Sequence, residues 1–142
     1  FRNFIYLRDD SLYILVYLLL ITVVTDSFAL FTGKLLGKHK LAPNISPNKT
    51  IEGSIGGSLF GTISASIFYL LVINNKYLFL TIITTLLLTI IGQLGDLIKS
   101  SIKRYENIKD FSNLIPGHGG IIDRLDSIIF VMMTYILIMR LF

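Results

Sequence analysis

The sequence contains no cysteine, only three prolines and few charges. Without cysteine there is no disulfide, no thiolate metal site and no cysteine nucleophile. Charged residues make up 15% of the 142 residues and hydrophobic residues 53%, whereas a soluble domain carries about 25% charge. This composition argues against a water-soluble domain and excludes a disordered chain.

Four apolar stretches of about twenty residues run through the sequence, and that length crosses a hydrocarbon core of about 30 Å. They cover residues 12–33, 53–73, 77–98 and 121–142. The predicted fold is all-α, a polytopic membrane helix bundle with about four transmembrane helices. A tight turn at 74–76 joins the middle pair, and two longer polar loops cover 34–52 and 99–120.

Basic residues are concentrated in these two loops and just after the second. Nine of the 13 Lys and Arg residues lie there, namely Lys34, Lys38, Lys40, Lys49, Lys99, Lys103, Arg104, Lys109 and Arg124. Because two helices separate the loops, both lie on one side, which the positive-inside rule predicts to be cytoplasmic. The net charge of +4 favours anionic lipid or phosphate as partners. The loops lack the aromatic platforms of a nucleic-acid binder, so we expect no nucleic acid.

Small residues recur at every fourth position of the second apolar stretch, at Gly53, Gly57, Gly61 and Ala65. Such a stripe lets the backbone of a neighbouring helix approach closely. We therefore predict that this face of the second helix is a helix-packing surface.

Four acidic residues lie inside or at the ends of apolar stretches, namely Asp26, Asp96, Asp123 and Asp126. A carboxylate deep in a membrane span costs about 2.5–3.5 kcal/mol on insertion scales, so such groups face a polar cavity, pair with cations or hold a metal. Asp123 and Asp126 are three residues apart and share one helix face. If the third and fourth helices pack side by side, these two carboxylates converge with Asp96 near the cytoplasmic face.

Converging carboxylates without a cation would repel one another strongly. Mg²⁺ prefers oxygen ligands, commonly one or two carboxylates together with substrate phosphates. The hypothesis is therefore a Mg²⁺ site formed by Asp96, Asp123 and Asp126. In the alternative, Asp123 and Asp126 only stabilise the N-terminus of the fourth helix, which explains one acid more easily than three.

The loops also carry features suited to phosphate. The run Pro-Gly-His-Gly-Gly at 116–120 leads directly into a helix, where glycine backbone and exposed N–H groups attract anions. In the first loop, basic residues, hydroxyls and turn glycines suit a polyphosphate, although a juxtamembrane loop that binds anionic lipid headgroups also explains the lysines. His118 could contact phosphate, shuttle a proton or have a purely conformational role. Neither histidine has a spacing suited to zinc.

These residues resemble a known signature. The segments Ser-Ser-Ile-Lys-Arg (100–104), Lys-Asp (109–110) and Pro-Gly-His-Gly-Gly-Ile-Ile-Asp-Arg-Leu-Asp (116–126) resemble that of the phosphatidate cytidylyltransferases, the CDP-diacylglycerol synthases. The stretch from Asp26 to Gly53 is similar to that family as well, so the resemblance covers essentially the whole chain. Members of the family are nearly twice as long. Residues 1–142 are therefore interpreted as one membrane-embedded catalytic region that lacks the family's N-terminal helices.

The resemblance implies transfer of CMP from CTP to phosphatidic acid, with Mg²⁺ and a second cation as cofactors. It implies Asp96, Asp123 and Asp126 as metal carboxylates and, with Lys103, as the catalytic set. The expected substrate-binding residues are Lys34, Lys38, Ser46, Lys49, Ser100, Arg104, Lys109, His118, Gly119, Gly120 and Arg124. The expected location is the cell inner membrane or its equivalent, with the site facing the cytoplasm. Either a separate N-terminal polypeptide supplies the missing helices, as in a split gene, or the sequence is a fragment of a longer protein. A homodimer is the alternative partner.

Two other interpretations stay open. A CTP-dependent lipid kinase of the polyprenol or phytol type would release CDP and leave one phosphate on the lipid. A non-enzymatic membrane subunit would use its acidic residues as a proton or ion path and would show no dependence on nucleotide.

Overall fold

The protein is described by a computed structural model, and four helices dominate it. The structure describes the backbone of residues 2–73, 77–107 and 121–141 and the side chains of 11–73, 77–107, 125 and 127–141. The helices are α1 (Arg2–Leu36), α2 (Ile51–Phe68), α3 (Leu78–Tyr105) and α4 (Ile121–Leu141). The predicted all-α membrane bundle is confirmed.

Within the described residues, three helical segments are long and apolar enough to cross a membrane. They are Ser11–Leu36, Ile51–Ile73, in which the π-helical turn Tyr69–Ile73 extends α2, and Leu78–Tyr105. In α4, the apolar part among the described residues is the shorter segment Ser127–Leu141. Large apolar side chains are exposed along all four helices, as expected of surfaces that face lipid.

The stripe of small residues on α2 packs against α1, as predicted. Gly53, Gly57, Gly61 and Ala65 are all buried. A Cβ atom added to Gly57 would lie 2.6 Å from the carbonyl oxygen of Thr25, and one added to Gly53 would lie 2.5 Å from that of Ala29. The two backbones therefore touch at a distance that only glycine permits on α2.

A short antiparallel hairpin connects α1 to α2, where the sequence predicted only a polar loop. It consists of β1 (Lys40–Ala42) and β2 (Ser46–Thr50). The turn is closed by a hydrogen bond from the main-chain N–H of Ile45 to the carbonyl of Ala42, at 3.1 Å, and Pro and Asn occupy the central positions that such a turn favours. The hairpin places β2 directly before α2.

The first residue of α2 is Ile51, two residues earlier than predicted, because Thr50 caps the helix. The Thr50 hydroxyl oxygen accepts a hydrogen bond from the Gly53 N–H at 3.1 Å, which satisfies one of the free donors of the first turn. The hairpin and α2 therefore join without an intervening flexible segment.

Helix α3 continues to Tyr105, so the prediction that a polar loop begins at Lys99 is wrong. No proline or glycine interrupts residues 96–105, and basic residues are favoured in the last turn of a helix by its dipole. The chain leaves the helix at Asn107, whose φ of 55° is a conformation that asparagine tolerates. Three predicted site residues, Ser100, Lys103 and Arg104, are therefore held on a helix together with their neighbour Lys99.

Helices α3 and α4 pack side by side in opposite directions. A Cβ atom added to Gly95 would lie 2.9 Å from Phe130 Cγ, and one added to Gly92 would lie 3.0 Å from Val131 Cγ2. Near the other end, Leu80 and Ile138 line one small cavity. The first turns of α4 therefore lie beside the part of α3 that follows Gly95.

Candidate functional site

A cavity of about 260 Å³ lies at the end of the bundle where the hairpin meets the helices. Its polar lining residues come from α1, β2, α2 and α3, namely Asp26, Asn48, Lys49, Ser54, Gln93 and Asp96. Its apolar lining residues include Ala29, Leu30, Leu41 and Leu97. A cavity lined by both charged and apolar side chains suits a molecule that has a charged head and a hydrocarbon tail.

An ion pair joins the hairpin to α3 across this cavity. The ammonium group of Lys49 contacts the Asp96 carboxylate, and the side chains are 30% and 32% exposed. The two residues are 47 positions apart in the sequence. The fold thus brings together a predicted phosphate-binding lysine and a predicted metal carboxylate.

The side chain of Gln93 connects α3 to α2 beside the cavity. Its amide N–H₂ donates to the main-chain oxygen of Ser54 at 3.1 Å and to the hydroxyl of Ser58 at 2.9 Å. Its amide oxygen accepts a hydrogen bond from the Ser54 hydroxyl. Because both ends of the amide are used, the distance between the two helices is set one turn before Asp96.

Replacement of Gln93 by Leu should therefore destabilise the protein. The two serine residues would lose their partner between the helices, and we expect the free energy of unfolding to fall by about 1–3 kcal/mol. Thermal or denaturant unfolding of the detergent-solubilised protein measures this change. Ser58→Ala removes only one of the contacts and should have a smaller effect. If the Gln93→Leu variant were as stable as the wild type, the hydrogen bonds of Gln93 would not hold α2 and α3 together.

Further contacts hold the hairpin in place beside the helices. The Arg104 Nε donates to the Ile45 carbonyl at 3.3 Å, which ties the hairpin turn to the last turn of α3. The His39 ring contacts the Glu52 carboxylate at 2.7 Å, which ties the start of the hairpin to α2. Lys49 is therefore presented from a strand that is anchored at both ends.

None of the other predicted residues whose side chains are described lines this cavity. Ser100 uses its hydroxyl within α3, where it donates to the Asp96 carbonyl at 3.0 Å. Lys103 is half-buried and Arg104 is exposed, both in the last turn of α3. Ser46 is half-buried in β2, whereas Lys34 and Lys38 are exposed and do not line the cavity.

Several predicted site residues cannot be placed in the same way. Lys109, His118, Gly119 and Gly120 lie outside the described residues. Asp123, Arg124 and Asp126 belong to the first turns of α4, but their side chains also lie outside the described part. The predicted side-by-side packing of α3 and α4 is present, and the convergence of the three carboxylates stays a prediction.

Sequence reasoning missed several polar residues of the cavity wall. Asp26 was recognised as an unusual acid within an apolar span but was not assigned to the site, and Asn48, Ser54 and Gln93 were not singled out. The available signal was a serine repeat at positions 54 and 58 and a glutamine three residues before Asp96. Asp26 does line the cavity, in agreement with the expectation that such an acid faces a polar space.

The donors at this cavity fit a hard cation. Asp26 and Asp96 supply carboxylate oxygens and Asn48 adds an amide oxygen, whereas the Ser54 hydroxyl and the Gln93 amide oxygen are bonded to each other. Within the described side chains, no three His, Cys, Asp or Glu residues form a cluster. One or two carboxylates with otherwise neutral oxygen donors is the set that Mg²⁺ uses when substrate phosphates complete its coordination.

Comparison with known proteins places the chain in a family. Residues 1–142 match the cytidylyltransferase family over their whole length. The phosphatidate cytidylyltransferase of Bacillus subtilis (strain 168) is 47% identical over 146 residues, which cover 100% of this chain and 54% of that protein. The phosphatidate cytidylyltransferase of Staphylococcus haemolyticus is 46% identical over 132 residues, with 93% of this chain and 51% of that protein covered.

The protein of the same name from Staphylococcus aureus (strain COL) is 45% identical over 132 residues, again with 93% of this chain and 51% of that protein covered. The chain thus spans about half the length of the curated relatives that it matches. The match runs through both Lys49 and Asp96, the ion pair of the cavity. The chain belongs to the cytidylyltransferase family.

Proposed function

We propose that this protein transfers CMP from CTP to phosphatidic acid and so forms CDP-diacylglycerol and pyrophosphate. The observation that carries this proposal is the cavity in which Lys49 and Asp96 meet and which apolar side chains also line. Relatives that share 45–47% of their residues with the chain bear the name phosphatidate cytidylyltransferase, which supports both substrates. The membrane helices supply the surroundings that a lipid substrate requires.

The reaction joins two anions. A phosphate oxygen of phosphatidic acid attacks the α-phosphorus of CTP, the bond between the α-phosphorus and the bridging oxygen breaks, and pyrophosphate leaves with that electron pair. No protein nucleophile is needed, so the protein acts by positioning the reactants and by neutralising charge. We assign the neutralisation of charge to Lys49, which lines the cavity, and to Lys103 and Arg104 in the last turn of α3.

Mg²⁺, with a second cation, is the proposed cofactor. Asp96 would hold Mg²⁺ together with Asp123 and Asp126 of the neighbouring helix α4. Asp26 lines the same cavity as Asp96. When bound, Mg²⁺ would neutralise phosphate charge and stabilise the departing pyrophosphate. The chain's own contribution is to fix Asp96 on α3, through Gln93 on one side and Ser100 on the other.

The apolar lining residues give the lipid a place. Leu30, Leu41 and Leu97 line the same cavity as the charged residues, so the headgroup of phosphatidic acid can reach Lys49 while its acyl chains stay in the bilayer. CTP would enter from the water at the same end.

We propose that this end faces the cytoplasm in a cell inner membrane or its equivalent, because the basic residues concentrate there. A separate N-terminal polypeptide that supplies further helices is one proposed partner, and a second copy of the chain in a homodimer is the other.

The reaction can be tested with CTP that carries a radioactive label either in the α-phosphate or in the γ-phosphate. The 142-residue chain, alone and joined to the remaining part of the Bacillus subtilis relative, is incubated in mixed micelles with phosphatidic acid and Mg²⁺. We expect label from the α-phosphate of CTP in the lipid product and label from the γ-phosphate in pyrophosphate. Lipid labelled from the γ-phosphate would indicate a lipid kinase, and no turnover of CTP by either protein would favour a non-enzymatic subunit.

A further inference from the structure

The Lys49 ammonium contacts a carboxylate oxygen of Asp96, the residue that is proposed above as a metal ligand. Asp26 lines the same cavity, and the other described residues that line it are uncharged. Lys49 is therefore the only positive charge among the described lining residues, against two negative ones.

The side chain of Lys49 is suited to leave this position. Lysine has a flexible four-carbon stem that carries a compact charge, and this one extends from a strand whose backbone is anchored by the contacts of Ile45 and Glu52. Both partners of the ion pair are about one-third exposed, so water can replace either of them at modest cost. The ammonium can move while the strand stays in place.

We propose that Lys49 is a displaceable internal counter-ion, which occupies the cation position on Asp96 in the free protein and moves to the nucleotide phosphates when a divalent cation binds. This inference rests on the proposed function, because it assumes that Asp96 is a metal ligand. It assigns two alternating partners to one lysine. Since both cations compete for one carboxylate, loss of the lysine charge favours the metal and disfavours the nucleotide.

Direct metal binding tests the competition. Mn²⁺ is titrated into the detergent-solubilised chain without nucleotide, and bound Mn²⁺ is measured by electron paramagnetic resonance. In Lys49→Met, which keeps the length of the side chain but not its charge, we expect Mn²⁺ to bind about fivefold more tightly, the upper end expected for an ion pair of this exposure. CTP binding in the presence of Mn²⁺ should weaken in the same variant.

Lys40→Met is the matched control, because it removes the same charge from the same hairpin. Lys40 donates to the Pro47 carbonyl and does not line the cavity. Its loss should leave Mn²⁺ affinity close to that of the wild type. If Lys49→Met bound Mn²⁺ no more tightly than the wild type, or if Lys40→Met gave the same gain, local competition would be refuted.

A measurement on the wild-type protein avoids dependence on the folding of a variant. Lysine amines are methylated with formaldehyde and a borohydride reagent, with and without Mg²⁺, and the modified residues are identified by mass spectrometry. Mg²⁺ should increase the modification of Lys49 relative to Lys40, and an unchanged ratio would overturn the displacement. Formation of a γ-labelled lipid from CTP would instead refute the proposed reaction and leave the competition at Asp96 standing.

Discussion

Replacement of Asp96 by Asn should reduce CTP turnover by about 100- to 1,000-fold, because the stabilisation that a bound metal gives to a phosphoryl transition state is worth several kcal/mol. Asn has the size of Asp but lacks the charge that holds a cation. The rate of pyrophosphate release at saturating CTP and Mg²⁺ measures the effect. We expect the loss to appear in kcat and in the Mg²⁺ concentration that the enzyme requires.

The fold should survive this change. The ion pair that Asp96 forms with Lys49 is about one-third exposed at both ends, and pairs of this kind contribute at most about 1 kcal/mol. An unfolding measurement in detergent therefore shows whether a loss of turnover comes from the altered site or from a destabilised fold. Glu106→Gln, which removes an exposed acid just beyond α3, is the matched control and should leave turnover unchanged. Normal turnover in Asp96→Asn would eliminate the proposed site, and Asp123→Asn is expected to behave like Asp96→Asn.

Replacement of Gly57 by Ala should strongly destabilise the protein. The added methyl group would lie 2.6 Å from the Thr25 carbonyl oxygen and 2.8 Å from the Ala29 Cβ, and neither backbone can move without separating α1 from α2. Overpacking of this kind costs about 1–3 kcal/mol. We expect a lower midpoint temperature of thermal unfolding in detergent. We also expect a smaller fraction of monodisperse protein in size-exclusion chromatography.

A second glycine provides the comparison for this result. At Gly92, an added Cβ atom would meet only the Cγ2 of Val131, at 3.0 Å, and a small movement of one side chain relieves that contact. Gly92→Ala should therefore cost much less than Gly57→Ala. If both substitutions had the same effect, the general helix preference of alanine and not the close approach of α1 and α2 would govern stability.

The sequence predicted the packing of α2 more accurately than the ends of the helices. Recurrence of Gly53, Gly57 and Gly61 at every fourth position identifies a packing face without knowledge of the partner. Helix ends depend on smaller free energies, and capping decided one of them, since Thr50 sets the start of α2 at Ile51. At its C-terminus, α3 continues beyond residue 98, where the apolar stretch ends, because polar residues alone do not interrupt a helix.

The candidate site was predicted in part for a comparable reason. Asp96 could be recognised because a carboxylate at the end of an apolar span is costly, and Lys49 because it lies in a basic loop that resembles the family. Nothing in the sequence marked Gln93 as a site residue, because an uncharged amide near the end of a membrane span is common and its partners cannot be read from the sequence. Its role depends on Ser54 and Ser58 of another helix.

By itself the sequence determined the class of the protein, its helical membrane spans, the basic end of the bundle and the acidic residues that need a polar environment. These follow from length, hydropathy and charge, which are properties of each segment alone. Only the tertiary structure decided that Lys49 contacts Asp96, that Gln93 joins α2 to α3 and that apolar residues line the same cavity as the charged ones. Such contacts join residues as many as 47 positions apart, and they depend on how closely the helix backbones approach, which side-chain packing sets across the whole bundle.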